Sequence, residues 1–81
     1  MSKINLEKIT YIIAKNIGVN ASEININSNT NDFYRWDSLT QVTIVLDIEK
    51  VIEKKISASK ISELDSVKQI VDYLKTKKTF S

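Results

Sequence analysis

The sequence predicts an all-α fold, a small four-helix bundle of three main helices and one short one, and three observations carry that prediction. Apolar residues recur at helical spacing in three separate stretches, each opened or closed by a capping signal. One glycine and no proline among 81 residues leave few forced turns, which favours helices joined by polar loops. The hydrophobic share is 42%, dominated by isoleucine, leucine and valine, and allows a modest core within a single domain. That domain is expected to span 1–81, with its core at about 4–75.

The first helix is predicted over 4–17. Leu6, Ile9, Ile13 and Ile17 make its stripe and Ile12 widens it. Gly18 follows directly and suits a left-handed C-cap. Residues 19–36 form a long connection rich in Asn and Ser, whose side chains bond nearby backbone instead of continuing a helix. Val19, Ile24 and Ile26 are expected to pin this loop to the core. Connections of this length are uncommon in compact domains and are often functional. Phe33, Tyr34 and Trp36 cluster at its end and are expected to cap the bundle, with Trp36 also counted toward a partner-facing surface.

The second helix is predicted over 38–54. Ser38 and Gln41 match a capping box, in which the serine hydroxyl takes the amide three residues on and the glutamine reaches back. Plotted at about 100° per residue, Ile44, Val45, Ile48, Val51 and Ile52 fall in one broad arc, an ordinary core face. Leu39, Val42 and Leu46 fall in a second arc of roughly 60°, nearly opposite the first. A surface helix needs one apolar stripe. Two imply burial on both sides or an exposed strip kept for partners.

A short helical turn is expected near 59–63, between Ile56 and the last helix. That last helix begins at Ser66 with Gln69 three residues on, again a capping-box pattern, and its core face is Val67, Ile70, Val71 and Leu74. Lys75, Lys77 and Lys78 then favour the negative end of the helix dipole. Residues 76–81 are expected to fray as a basic tail.

Absences narrow the chemistry. Without cysteine there is no disulfide framework and no thiolate metal site. Without histidine or cysteine, Ser-His-Asp and Cys-His nucleophile arrangements are excluded, as are His-rich zinc sites. Glu49 and Glu53 lie one helical turn apart, yet in a Lys-rich stretch they read as a solvated face. The chain is therefore expected to be no enzyme by itself. Its net charge is +2, and residues 66–81 hold four lysines against one aspartate, so the remainder is slightly acidic. Nucleic-acid binding would want a basic stripe with interleaved aromatics on a folded face, so no nucleic-acid partner is expected. No apolar run is long enough for a signal peptide or a membrane span, and a cytoplasmic monomer is expected.

The candidate site is the string Trp36-Asp37-Ser38-Leu39, placed after the long loop and at the first turn of a helix. A serine at a helix N-terminus sits among unpaired backbone amides and the positive end of the dipole. Such a place favours a phosphate ester on its oxygen, and a loop boundary leaves it open to a modifying enzyme. Serine is also a preferred N-cap, so Asp-Ser-Leu alone indicates no more than a helix start. The wider pattern decides between these readings.

From about Leu6 to Leu74 the chain resembles the acyl carrier protein family. The resemblance runs through Ile17-Gly18-Val19 at the end of the first helix, the long loop and Asp37-Ser38-Leu39. It continues through the apolar spacing of Thr40 to Glu49, then Leu64-Asp65-Ser66-Val67 and Ile70-Val71-Asp72-Tyr73-Leu74. No piece is specific alone; their order and spacing are.

The resemblance implies an acyl-carrier-type bundle with a covalent 4'-phosphopantetheine on Ser38, installed from coenzyme A by a magnesium-dependent phosphopantetheinyl transferase. Asp37 looks like the acidic residue that helps place the metal in that complex. Leu39, Val42 and Leu46 match the family's partner-facing positions, and Asp47 and Glu49 extend that face. The implied partners are the transferase and the enzymes that load and transfer acyl or aminoacyl groups. The missing cysteine then has an explanation, because the arm brings the thiol.

Two departures bear on the pathway. The approach to Ser38 reads Phe33-Tyr34-Arg35-Trp36, where the family often has a glycine. The second helix sets Asp47, Glu49 and Glu53 against Lys50 and Lys54, so electrostatic steering toward basic partners is weaker than in strongly acidic fatty-acid carriers. The weaker steering counts against housekeeping fatty acid synthesis, and a Trp before Asp-Ser-Leu looks more like discrete carriers that serve dedicated biosynthetic pathways. The alternative is an unmodified helical adaptor that binds partners through Leu39, Val42 and Leu46.

Overall fold

The computed structural model describes residues 2–81 and holds four α-helices: α1 (Leu6–Ile17), α2 (Ser38–Ile52), α3 (Ala58–Ile61) and α4 (Val67–Thr76). A 3-10 turn at Ala21–Glu23 interrupts the long loop, and among the described residues no strand forms beyond two isolated bridges. The all-α expectation holds, with three main helices and one short one.

Local chemistry sets where each helix starts and stops. Asn5 caps α1, its side-chain oxygen accepting from the Lys8 amide at 2.8 Å. The helix therefore begins at Leu6 and not at residue 4. Gly18 closes it in the left-handed region at φ 76°, where a side chain would be strained. Its amide returns to the Ala14 carbonyl at 2.8 Å. Ser66 caps α4, accepting from the Gln69 amide at 3.1 Å, but among the described residues the Gln69 side chain makes no return bond, so only half of the expected capping box forms. α2 ends at Ile52, two residues short of the predicted bound, with Glu53 at φ 58°. The short helix occupies 58–61 instead of 59–63.

Ile9, Ile12, Ile13 and Ile17 of α1 meet Ile44, Val45, Ile48 and Ile52 of α2 and Val67, Ile70, Val71 and Leu74 of α4 in one core. Each such side chain contributes about 1.5–3 kcal/mol on burial. Leu6, predicted on the α1 stripe, lies at its exposed edge. Ile24 and Val19 tie the loop to the core, whereas Ile26 is partly exposed and lies outside it. The loop also stitches itself together. Asn25 and Asn29 each accept from the backbone two residues on, and Asp32 accepts from the Asn29 amide. An antiparallel bridge joins Asn29 to Ser66.

The basic tail does not fray. Lys78 turns the chain at φ 60°, and Thr79 is fully buried with its amide and hydroxyl on the Leu74 carbonyl. The Ile4 amide donates to the Thr79 carbonyl at 2.8 Å, and the Ser81 amide donates to the Ile4 carbonyl at 3.0 Å. Phe80 packs on the core beneath Lys75. The expectation failed because lysine count speaks of solvation, while Ile4, Thr79 and Phe80 decide whether backbone pairs.

Candidate functional site

Ser38 is the first residue of α2 and is exposed. It is not the cap. Asp37 has the extended backbone of an N-cap, and its Oδ1 accepts from the Thr40 amide at 2.9 Å. The predicted capping box of Ser38 and Gln41 is thus corrected: aspartate, one position earlier, takes that role. The Thr40 amide, together with the Thr40 hydroxyl, holds the Asp37 carboxyl below its ordinary value, so it is ionised at neutral pH. With the cap supplied by Asp37, the Ser38 hydroxyl makes no hydrogen bond among the described residues. The amides of Ser38 and Leu39 lie in the first turn, where no intrahelical acceptor exists.

Gln41 has a different task. It is buried, and its Oε1 accepts from the Trp36 indole Nε1 at 2.6 Å. Its Nε2 donates to the carbonyls of Ile61 and Leu64. Sequence reasoning missed this residue, although the helical plot carried the signal. Gln41 falls at roughly 200° from Leu39 at the origin, inside the core arc, where a polar side chain must find internal partners.

A groove of about 600 Å³ opens beside Ser38, between the first turn of α2 and α3. Trp36, Gln41 and Val42 form one side, Ala58, Ile61 and Ser62 the other, and Thr30 and Asp65 close one end. Among the described residues no cluster of acidic or other ligating side chains could hold a metal ion by itself.

Leu39, Val42 and Leu46 lie 79%, 41% and 47% exposed, so the second stripe is an outward strip and not a second buried face. The other members of the expected partner face are placed differently. Trp36 is buried and holds the loop end to Gln41, because its large ring and single N–H both find internal partners. Of its neighbours, Phe33 packs partly on the core and Tyr34 points fully into solvent. Asp47 accepts from Asn16 Nδ2 at 3.0 Å and pairs with Lys15 at 3.6 Å, which ties α1 to α2. Glu49 accepts from the Ile56 amide at 2.6 Å, so it is no purely solvated residue.

Comparison with known proteins adds to this geometry. Residues 7–74 match the family model described as phosphopantetheine attachment site. An acyl carrier protein of Chlamydia caviae is 30% identical over 71 residues, 88% of this chain and 92% of that protein. One from Chlamydia felis is 30% identical over 71 residues, 88% of this chain and 91% of its own length. One from the alga Cyanidioschyzon merolae is 31% identical over 77 residues, 94% of this chain and 85% of that protein.

Proposed function

This chain belongs to the acyl carrier protein family, and from that premise we propose that Ser38 is where its 4'-phosphopantetheine is attached. The family's members are carriers and not catalysts, and their cofactor is this covalent arm. The observation that supports Ser38 is an exposed hydroxyl at the first position of α2, released from capping by Asp37 and edged by a groove and an apolar strip. Those surroundings suit the group. An ester phosphate on Oγ would lie near the two first-turn amides and the positive end of the helix dipole.

On loading, Ser38 Oγ would form the bond to the phosphorus that carries the pantetheine as the P–O bond to the adenosine half of coenzyme A breaks, so that adenosine 3',5'-bisphosphate would leave and the hydroxyl's proton would balance the charge on it. The arm supplies a thiol that holds acyl or aminoacyl groups as thioesters. Asp37, ionised at neutral pH and next in sequence to Ser38, would offer its carboxylate to the magnesium that the transferase brings. Leu39, Val42 and Leu46 seat partner enzymes, which would load or remove the cargo.

The mixed charge of α2 supports service in a dedicated pathway over housekeeping fatty acid synthesis: Lys50 stands beside Asp47 at 3.9 Å and dilutes the acidic steering such carriers use. The chain would work there as one folded domain and a monomer in the cytoplasm.

The test is incubation of the unmodified protein with coenzyme A, magnesium and a broad-specificity phosphopantetheinyl transferase. The wild type should gain the mass of one arm and Ser38→Ala none. If the wild type gains nothing from an active transferase, the adaptor reading replaces this one.

A further inference from the structure

α3 is four residues long and buries none of its own side chains fully. A helix that short has no stability of its own, so what ties it down decides where it sits. Two side chains of α2 do so, one at each end. Glu49 accepts from the Ile56 amide ahead of α3, and Gln41 donates to the Ile61 and Leu64 carbonyls at and beyond its last turn. The Gln41 tie lies at the Ser38 end. Gln41 Oε1 also accepts from the indole N–H of Trp36, the last buried residue of the long loop. One side chain, three residues past Ser38, therefore joins the loop that leads into the serine, the turn that bears it and the helix facing it across the groove.

Resting on the reading of Ser38 as the attachment point, we propose that Gln41 is a positioning residue that fixes the Ser38 hydroxyl relative to α3. Its three bonds are internal, so it offers nothing to an incoming enzyme directly. Its effect runs through geometry. A transferase that docks on Leu39, Val42 and Leu46 still meets those residues when Gln41 is altered, because all three are exposed while Gln41 is buried; of the three, Val42 alone also lines the groove. What it loses is the fixed direction of the reacting oxygen, and loss of alignment lowers the rate of the bound complex more than its formation.

The experiment measures kcat and KM for arm transfer from coenzyme A to the full-length chain by a broad-specificity transferase. Wild type, Gln41→Leu, Trp36→Phe and Ser66→Ala are compared at a temperature where circular dichroism shows each one folded. Gln41→Leu should lower kcat about ten-fold with KM unchanged. Trp36→Phe removes the indole donor together with part of the buried ring, leaves both Gln41 bonds to the α3 segment in place, and should lower kcat about three-fold, a partial version of the same loss. Ser66→Ala removes a helix cap whose own side chain neither lines the groove nor bonds to Gln41, and should leave both constants alone. An unchanged kcat in folded Gln41→Leu overturns the proposal, as does an equal fall in Ser66→Ala. Should Gln41→Leu fail to fold, Trp36→Phe decides: a lower kcat at constant KM supports the role and an unchanged one overturns it. A wild type that accepts no arm sinks the Ser38 reading and this one with it, whereas a wild type that does, beside an unaffected Gln41→Leu, sinks this one alone.

Discussion

α2 and α4 are built from similar residues and do different work. Along α4 the apolar side chains Val67, Ile70, Val71 and Leu74 all turn inward, and the intervening positions are mostly polar. Along α2 the inward set of Ile44, Val45, Ile48 and Ile52 is as deeply buried, yet Leu39, Val42 and Leu46 stand in solvent on the other side. Exposed leucine and valine in one strip suit an interaction surface better than a core. With the arm on Ser38 as proposed, their place beside it would make α2 the presenting helix and α4 a supporting one. The starts of the two helices differ in the same sense. Ser66 caps α4 with its hydroxyl, whereas at α2 the cap is Asp37 and the serine hydroxyl is left over.

Substitutions can break or sharpen that contrast. The largest effects belong to the shared core. Ile48→Ala on α2 and Leu74→Ala on α4 should each cost about 2–5 kcal/mol, read from denaturant midpoints. A much smaller loss at Ile48 would mean that the inward face of α2 is not core. Next comes the pair of serines. Ser66→Ala should lose about 1 kcal/mol, the usual value of a helix cap, while Ser38→Ala should change stability by less than about 0.5 kcal/mol and still abolish loading. Equal losses at both positions would return the cap of α2 to Ser38.

Asp37→Ala separates the two roles of the first turn by pH. The folded-state carboxyl titrates below its ordinary 3.8, so its stabilising contribution is fully present above that value. It disappears as pH falls through the lower folded value. The melting gap between wild type and Asp37→Ala should therefore be constant near neutrality and close only below pH 3.8. A gap that closes already at pH 5 would contradict the bond to Thr40. Smallest in stability is the outward strip: Leu46→Asp should move the denaturant midpoint by no more than about 0.5 kcal/mol while raising KM for the transferase.

Much of this was legible in the residues, and the rest was hidden for physical reasons. Periodicity gave the helices and both arcs of α2, because side-chain direction follows from 3.6 residues per turn. Gly18 announced its turn through the one conformation that glycine favours. Helix starts were less legible, since Asp37 and Ser38 are both good caps and only backbone angles separate them. Long-range pairing was invisible. Nothing near Thr79 or Phe80 says that Ile4 lies opposite, and nothing near Gln41 says that two carbonyls of the α3 segment will face its amide. Charge misled in two places. Asp47 and Glu49 look like surface acids, but an asparagine and lysine of α1 engage one, and a backbone amide engages the other.

The most direct test is peptide mapping by tandem mass spectrometry of the protein purified from cells that possess a phosphopantetheinyl transferase. The arm should be found on the peptide containing Asp37-Ser38-Leu39, with fragment ions placing it on the oxygen of Ser38. An arm on any other hydroxyl, or a chain wholly without one beside a working transferase, contradicts the assignment of α2 as the presenting helix.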